Sequence, residues 1–309
     1  VNDNILKQLL TFMVIAGGLW EGQLGEGGQG IVGLAFTLPF ILLSAVAGQC
    51  ADRWSKRTLT IIVRASELPI AAVAAWGFFT GNLWVAFTAL VLITCQSAFF
   101  GPPKYGMIPE LVRPDEIARA NGAINMFTNV AVIVGIVLGG KVADAYVTDA
   151  AAAGTAGEAA AQAVGIAAPA LPGIVLGVVA VGGLVLAWFL PPLTAGSPGL
   201  PIRPNPFSGY VQAIRDMARG PLLAVALAWG SFYLIAGMSL LILPEYATLL
   251  PNGSRWQASQ LMGILGIAIG VGSLIAGLAS GHRIKVGLVP IGAVGLTASL
   301  VGLGLFSRT

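Results

Sequence analysis

Charged residues are scarce in this sequence, making up 9% of its 309 residues, whereas soluble domains carry about 25%. Cysteine and histidine are rarer still, with two and one. Both cysteines, Cys50 and Cys95, lie in apolar runs, which excludes a disulfide framework and a zinc site. So apolar a composition also argues against a nucleic-acid partner, although the net charge is +3. We therefore expect no metal and no cofactor.

Apolar residues dominate instead. They make up 56% of the chain, and the mean hydropathy is +0.86. No soluble core of this length buries so much apolar surface, which excludes a cytosolic enzyme, and a disordered chain would be far more polar. In lipid the backbone must satisfy its own hydrogen bonds, as a helix does. The composition therefore predicts an all-α polytopic membrane protein.

Candidate membrane spans follow from length, because a hydrocarbon core of about 30 Å needs roughly 20 apolar residues in a helix. The first candidate is short, and the chain opens with Val1 already inside an apolar stretch. We therefore expect the beginning of helix one to be missing. The nine segments are Ile5–Trp20, Ile31–Cys50, Leu59–Phe79, Leu83–Phe100, Ala120–Ala143, Leu171–Leu190, Pro221–Leu243, Gln257–Ser280 and Val286–Phe306.

The loops between these spans are asymmetric in charge. Alternate loops hold eleven basic residues, and the opposite set holds three, Lys141, Arg255 and Arg308. Basic loops stay in the cytoplasm. The bias predicts a multi-pass protein of a bacterial-type inner membrane with its N-terminus in the cytoplasm.

Span lengths and loop composition also divide the chain. Residues 1–190 are predicted to form a six-helix bundle, and residues 221–309 a partial bundle of three helices. Between them, residues 191–220 begin with a proline-rich stretch and continue into an amphipathic segment, Phe207–Arg219. We expect this cytoplasmic central loop to carry one amphipathic helix in contact with membrane lipid.

The turn after span two carries a recognisable pattern. It reads Gly48-Gln-Cys-Ala-Asp52-Arg53-Trp-Ser-Lys56-Arg57 and resembles the G-x-x-x-D-R-x-[GS]-[KR]-[KR] signature of the major facilitator superfamily. The resemblance implies twelve helices in two bundles with alternating access, of which nine are present and helices ten to twelve are absent. We expect Gly48 to permit close helix packing. Asp52 is expected to pair with Arg53, Lys56 or Arg57 in one conformation, forming a gate.

A second loop narrows the resemblance. Phe100-Gly-Pro-Pro-Lys104-Tyr105-Gly-Met-Ile-Pro-Glu110-Leu, followed by Arg119-Ala-Asn121-Gly, is similar to the K-Y-G loop of the lysophospholipid transporter family. The opening Asn2-Asp3-Asn4 is similar to the start of that family's first helix. The resemblance places Lys104 and Tyr105 with the gating motif. It also implies an amphipathic substrate, a monomer, and in some relatives a fused acyltransferase and ligase.

Charged side chains inside the spans are functional candidates, because each costs at least about 2.5–3.5 kcal/mol at the bilayer centre. Asp3 and Lys7 are spaced to neutralise each other, either in a substrate cavity or as an anchor of the helix end. Arg64 and Glu67 are spaced as an ion pair, either satisfied near the interface or contacting substrate. A phosphate diester would favour a cation such as Arg64, Lys7 or Lys104.

Uncharged polar residues complete the candidate substrate site. Asn121, Asn125 and Asn129 recur once per turn, so they form a polar stripe that should face water or another helix. Asn4 accompanies Asp3, and Glu245 follows Pro244 at the end of span seven, where it either meets a headgroup or lies in water. No spacing typical of a catalytic serine, an acyltransferase or a nucleotide loop occurs in the sequence.

The sequence therefore predicts a secondary transporter without catalytic residues, driven by an ion gradient or by the gradient of its substrate, so a coupling ion is a candidate partner. Lysophospholipid movement from the outer to the inner leaflet is the first hypothesis. The alternatives are an exporter of drugs or metabolites, and the membrane part of a fused acyltransferase–ligase enzyme.

Overall fold

The computed structural model describes residues 1–15, 18–153, 170–202, 205–248, 255–280 and 287–306. Within these ranges the regular structure is entirely helical. The α-helices are α1 (Asn2–Val14), α2 (Gly28–Arg53), α3 (Lys56–Phe79), α4 (Leu83–Gly106), α5 (Ile108–Leu111), α6 (Ile117–Ala153), α7 (Leu171–Trp188), α8 (Pro206–Ala218), α9 (Leu222–Thr248), α10 (Arg255–Ser280) and α11 (Leu288–Phe306), with a 3₁₀ turn at Pro114–Glu116.

Every one of the nine predicted spans coincides with a helix. Within the described residues, α2, α3, α4, α6 and α7 are long and apolar enough to cross a membrane, and a sixth span results if the bent pair α8–α9 is counted as one. Helix α1 is too short by itself, with 13 residues, about 20 Å. The chain is therefore a multi-pass helical membrane protein.

Helix α1 lies at the centre of the first bundle. Ile5, Leu6 and Leu9 are completely inaccessible, because α6, α2, α4 and α7 all contact this helix. A Cβ at Gly139 of α6 would lie 2.8 Å from Cβ of Gln8. Glycine thus lets the two helices approach to backbone distance, as is common between membrane helices.

Around α1, helix α4 packs against both α2 and α3, and α7 packs against α3. Pro39 in α2 has no N–H, so the carbonyl of Ala35 loses its helical partner. The Thr94 hydroxyl of α4 donates to this carbonyl at 3.5 Å. A hydroxyl from the neighbouring helix is the usual way to satisfy such a group in a membrane.

An aromatic cluster closes the bundle at the end opposite the 52–57 turn. Trp20 stacks on Phe78 at 5.5 Å, and Tyr146 contacts the same ring edge-on at 5.5 Å. The Trp20 indole donates to the carbonyl of Gly81 at 3.0 Å, and the Tyr146 hydroxyl donates to that of Phe78 at 2.6 Å. The cluster joins the α3–α4 turn to α6.

The later helices attach to this bundle mainly through α6. Helix α10 makes its largest contact with α6, where a Cβ at Gly263 would lie 3.3 Å from Val137. Helix α9 packs against α10 and α8. The division at residues 190 and 221 into two bundles stays a prediction.

The structure can also be compared with two further expectations, the amphipathic segment and the end of the span formed by α6. The amphipathic helix is confirmed as α8. Helix α6 continues to Ala153, beyond the predicted end of its span at Ala143.

Candidate substrate site and gate

Polar side chains converge where the first turn of α1 meets α3, α4 and α7. The Asn2 amide is buried and donates to the Glu67 carboxylate at 2.8 Å and to the carbonyl of Leu176 at 2.8 Å. Asn2 thus links α1 to α3 and α7. A buried polar group requires such partners, because an unpaired one is costly in an apolar interior.

The predicted pair of Arg64 and Glu67 is confirmed. Their guanidinium and carboxylate are 2.7 Å apart, and the side chain of Glu67 is only 3% exposed, against 24% for Arg64. The Arg64 guanidinium also lies over the Phe100 ring, 4.1 Å from its centre. Gly183 of α7 lies beside it, since a Cβ there would be 3.5 Å from Cδ of Arg64. Sequence reasoning missed Phe100, because a cation over an aromatic ring has no sequence spacing.

The expected ion pair between Asp3 and Lys7 is wrong. Asp3 accepts from the Ser97 hydroxyl of α4 at 3.2 Å, and from the backbone N–H and side-chain amide of Asn4 at 2.8 and 3.0 Å. The Lys7 ammonium lies instead over the Phe36 ring of α2, at 4.8 Å from its centre. The two charges still interact at longer range. Tertiary partners have replaced the local one.

Asn4, the neighbour of Asp3, is itself buried, with 8% exposure. The α-amino group of Val1 lies 3.2 Å from the same Asp3 carboxylate.

Lys104 and Tyr105, expected at the gate, contact α6 instead. The Lys104 ammonium donates to the Thr128 hydroxyl at 3.2 Å, and the Tyr105 hydroxyl donates to the side-chain carbonyl of Asn125 at 3.1 Å. Lys104 is also close enough to Asp3 and Arg64 to interact with both electrostatically. The end of α4 therefore adds its cation to the polar cluster around α1 and α3.

The asparagine stripe of α6 is only partly engaged. Asn125 accepts from Tyr105, whereas Asn121 and Asn129 are half-buried and have no partner among the described residues. Glu245 falls within α9, but its side chain lies outside the described residues. Its substrate role stays a prediction.

The expected gate pair of Asp52 is not formed in this conformation, and the gate stays a prediction. The Asp52 carboxylate is exposed and forms no ion pair with Arg53, Lys56 or Arg57 in the described part of the chain. Only its backbone carbonyl is engaged, accepting from the N–H of Ser197 at 2.8 Å.

Gly48 also departs from expectation. No described atom lies within 4 Å of a Cβ built there. The close helix approaches occur elsewhere, as at Gly139 and at Gly77, where a Cβ would lie 2.6 Å from the backbone nitrogen of Ala86.

Lys56 forms an ion pair with a different carboxylate. Its ammonium lies 2.5 Å from Glu110 of α5, with side-chain exposures of 10% and 30%. Gly106, at the end of α4, leaves space for the lysine, because a Cβ there would be 2.9 Å from Cε of Lys56. The ion pair joins the start of α3 to the K-Y-G loop.

Arg57 and Ser55 hold the beginning of the central loop. The Arg57 guanidinium donates to the carbonyls of Leu190 at 2.7 Å and Trp188 at 3.2 Å. These carbonyls belong to the C-terminal end of α7, where unsatisfied acceptors and the helix dipole favour a cation. The Ser55 hydroxyl donates to the carbonyl of Leu193 at 2.7 Å. The 52–57 turn is therefore tied to the loop that follows α7.

The described residues contain no cluster of three or more histidine, cysteine or acidic side chains that would hold a metal ion. The polar cluster offers charges and hydrogen bonds for binding a ligand.

Comparison with known proteins identifies the family. The sequence profile of the Major Facilitator Superfamily matches residues 9–309. Lysophospholipid transporter LplT of Cronobacter sakazakii is 27% identical over 80% of this chain and 57% of its own length. The protein of that name in Enterobacter sp. is 27% identical over 79% and 56%, and that of Escherichia fergusonii is 33% identical over 41% and 31%.

The chain therefore spans less than two thirds of the length of these relatives. No solved structure matches it. Because the superfamily profile covers nearly the whole sequence, and the chain folds into apolar helices that pack as a bundle, this chain belongs to the major facilitator superfamily.

Proposed function

We propose that this protein is a secondary transporter that moves lysophospholipids from the outer to the inner leaflet of a bacterial inner membrane by alternating access. Its similarity to proteins named lysophospholipid transporter supports this proposal. The observation that carries it is the cluster of charges held among apolar helices by α1, α3 and α4. Such charges are rare in membranes and are kept where a polar substrate passes.

The cations of this cluster suit a phosphate diester. Lys104 contacts the Thr128 hydroxyl and the Tyr105 ring, and no described carboxylate lies within 4 Å of it. Arg64 is paired with Glu67 yet remains 24% exposed. A phosphate between Lys104 and Arg64 would receive charge-assisted hydrogen bonds from both. The phosphate is common to all lysophospholipids, so these two residues are assigned to it.

The remaining carboxylate suits a headgroup amine. Asp3 is 18% exposed and accepts from Ser97, from Asn4 and from the α-amino group of Val1. An ethanolamine ammonium would add a charge-assisted partner at this position. Glu67 is less available, because Asn2 and Arg64 occupy its two oxygens.

Uptake of labelled lysophosphatidylethanolamine into proteoliposomes that contain the full chain tests the proposal. Lys104→Gln removes the cation and should lower the initial rate about tenfold or more, since hydrogen bonds to charged groups contribute about 1.5–3 kcal/mol. Lys104→Arg keeps the charge and should retain more activity than Lys104→Gln. Arg113→Gln, an exposed cation outside the cluster, serves as the matched control and should transport normally.

Two results would contradict the proposal at different levels. Unchanged uptake in Lys104→Gln, Arg64→Ala and Asp3→Ala would show that the substrate binds elsewhere. Absence of uptake for every lysophospholipid, with export of unrelated amphipathic compounds, would instead identify an exporter of drugs or metabolites.

A further inference from the structure

Helix α8 lies beside the membrane for a simple geometric reason. Three residues, Arg219 to Pro221, separate its end from α9. The chain bends by 115° between the two helices. With α9 crossing the membrane, as predicted for span seven, a helix joined so closely to it lies at or near the bilayer surface. This placement does not depend on which side of the membrane the loop occupies.

One face of α8 is fastened to α2. The Tyr210 hydroxyl donates to the carbonyl of Ile41 at 2.6 Å, and a Cβ at Gly209 would lie 3.5 Å from Cβ of Ala45. Ile202, just before the helix, packs against a buried cluster that includes Cys50. These contacts fix the rotation of α8 about its own axis, and therefore decide which residues face away from the protein.

The adjacent face of α8 is apolar and uncovered. Phe207, Val211 and Ile214 are 60%, 56% and 53% exposed. Their spacing of four and three residues places them on one side of the helix. Three large apolar side chains that the described residues leave exposed, on a helix at the bilayer surface, have the acyl region of the membrane as their natural environment.

A cation without a partner borders this apolar face. Arg215 follows Val211 by four residues, and it forms no hydrogen bond or ion pair within the described part of the chain. By contrast, Arg219 is paired with Asp216 at 3.1 Å. A groove along the helix brings these side chains together, with Asn205 and Gln212 completing its wall.

We propose that this groove, together with the exposed Ile214 side chain on the adjoining apolar face, binds an anionic membrane phospholipid, with its acyl chain against Phe207, Val211 and Ile214 and its phosphate on Arg215. The apolar stripe and the cation lie side by side along the helix, as a phospholipid's chain and headgroup require. An unpaired guanidinium offers two parallel donors to a phosphate. A basic residue near an anionic bilayer is attracted to its negative surface. The lipid at this site is part of the membrane and is distinct from the transported substrate.

Site-specific quenching in proteoliposomes of the full chain tests where the apolar face lies. In a background of Cys50→Ala and Cys95→Ala, Val211→Cys and Gln212→Cys are each labelled with an environment-sensitive fluorophore. The two positions are neighbours in sequence but point about 100° apart on the helix. We expect brominated phospholipid to quench the label at 211 at least about twofold more than at 212, and aqueous iodide to show the reverse order.

The headgroup preference is measured with the same label at 211. Two phosphatidylcholine bilayers are compared, in which about 30 mol% of the lipid is either brominated phosphatidylcholine or brominated phosphatidylglycerol. Brominated phosphatidylglycerol should increase lipid quenching, because more anionic lipid occupies the groove. Arg215→Gln should abolish this increase. Arg219→Gln is the matched control and should keep most of it, since the Arg219 charge is already balanced by Asp216.

Three results would overturn the inference. Equal iodide quenching at both positions would place the apolar face in water. Protection of position 211 from both quenchers would show that protein covers the face. An unchanged phosphatidylglycerol response in Arg215→Gln would show that Arg215 does not bind an anionic headgroup. None of these readouts depends on transport, so they stand apart from the test of the substrate.

Discussion

Arg64 and Glu67 form an ion pair at 2.7 Å within one turn of α3. Glu67 is nearly inaccessible and accepts from the Asn2 amide, which also donates to the carbonyl of Leu176, so α1, α3 and α7 are linked through Asn2. The pair therefore has a structural role beside its proposed contact with substrate, and the two roles can be separated by experiment.

Breaking this pair should destabilise the protein more than replacing it. Glu67→Leu leaves the Arg64 charge unpaired, at an expected cost of about 3 kcal/mol, the lower end of the usual range because Arg64 is partly exposed. The double variant Arg64→Leu, Glu67→Leu removes both charges and should recover most of that loss. Thermal unfolding in detergent, followed by tryptophan fluorescence, measures the difference. A double variant as unstable as the single one would contradict this expectation.

The contact between Lys56 and Glu110 should behave as a coupled pair. Lys56→Ala and Glu110→Gln are each expected to lower the thermal stability, and their combination should cost less than the sum. The coupling energy expected for a partly exposed pair is about 1 kcal/mol or less. Asp52→Asn, combined with Lys56→Ala, provides the comparison and should be additive, because Asp52 does not contact Lys56 in this structure. Coupling of Lys56 to Asp52, and not to Glu110, would contradict this expectation and support the pairing expected from the sequence.

Arg57 should protect the end of α7 from opening. Its guanidinium satisfies the carbonyls of Trp188 and Leu190, so Arg57→Ala leaves the last turn of α7 without this cap. The expected result is faster hydrogen exchange confined to residues 186–190, while exchange in α3 remains unchanged. Arg53→Ala, on the same turn, is the control. Exchange that accelerates throughout the bundle would indicate a general loss of packing.

The contact between α6 and α10 should be sensitive to volume at one glycine. A Cβ at Gly266 would overlap the side chain of Ile133, so Gly266→Val should lower the thermal stability by about 1–3 kcal/mol, the usual cost of overpacking. Ile133→Ala in the same chain makes room and should restore part of the loss. Gly272→Val, on the same helix but with no described atom within 4 Å of its Cβ, should be nearly neutral. Equal losses of stability at both glycines would mean that overpacking against Ile133 does not cause the effect.

Local relations in this protein were predictable from sequence. Arg64 and Glu67 are three residues apart in one helix, so the helical repeat alone brings them together. The amphipathic segment at 207–219 was predictable for the same reason, since its apolar residues recur with the helical period. In both cases the geometry that matters is set within a few residues.

Relations between helices were not predictable in the same way. Asp3 and Lys7 have the spacing of an ion pair, yet Asp3 is bonded to Ser97 and Lys7 lies over Phe36. Spacing shows which residues are able to meet, whereas the competing partners on neighbouring helices decide which do. A backbone carbonyl, such as that of Leu190 beneath Arg57, carries no side-chain signal at all.

The sequence by itself determined that this is a helical membrane protein, where its spans lie, and which few charges are costly enough to suggest a function. Each of these follows from composition and from the length of an apolar run measured against a bilayer. The tertiary structure alone decided that Lys56 pairs with Glu110 while Asp52 stays exposed, and that Lys104 joins the charges of α1 and α3. It did so because partners far apart in sequence become neighbours only when helices pack, and in an apolar interior each polar group takes the nearest partner that packing provides.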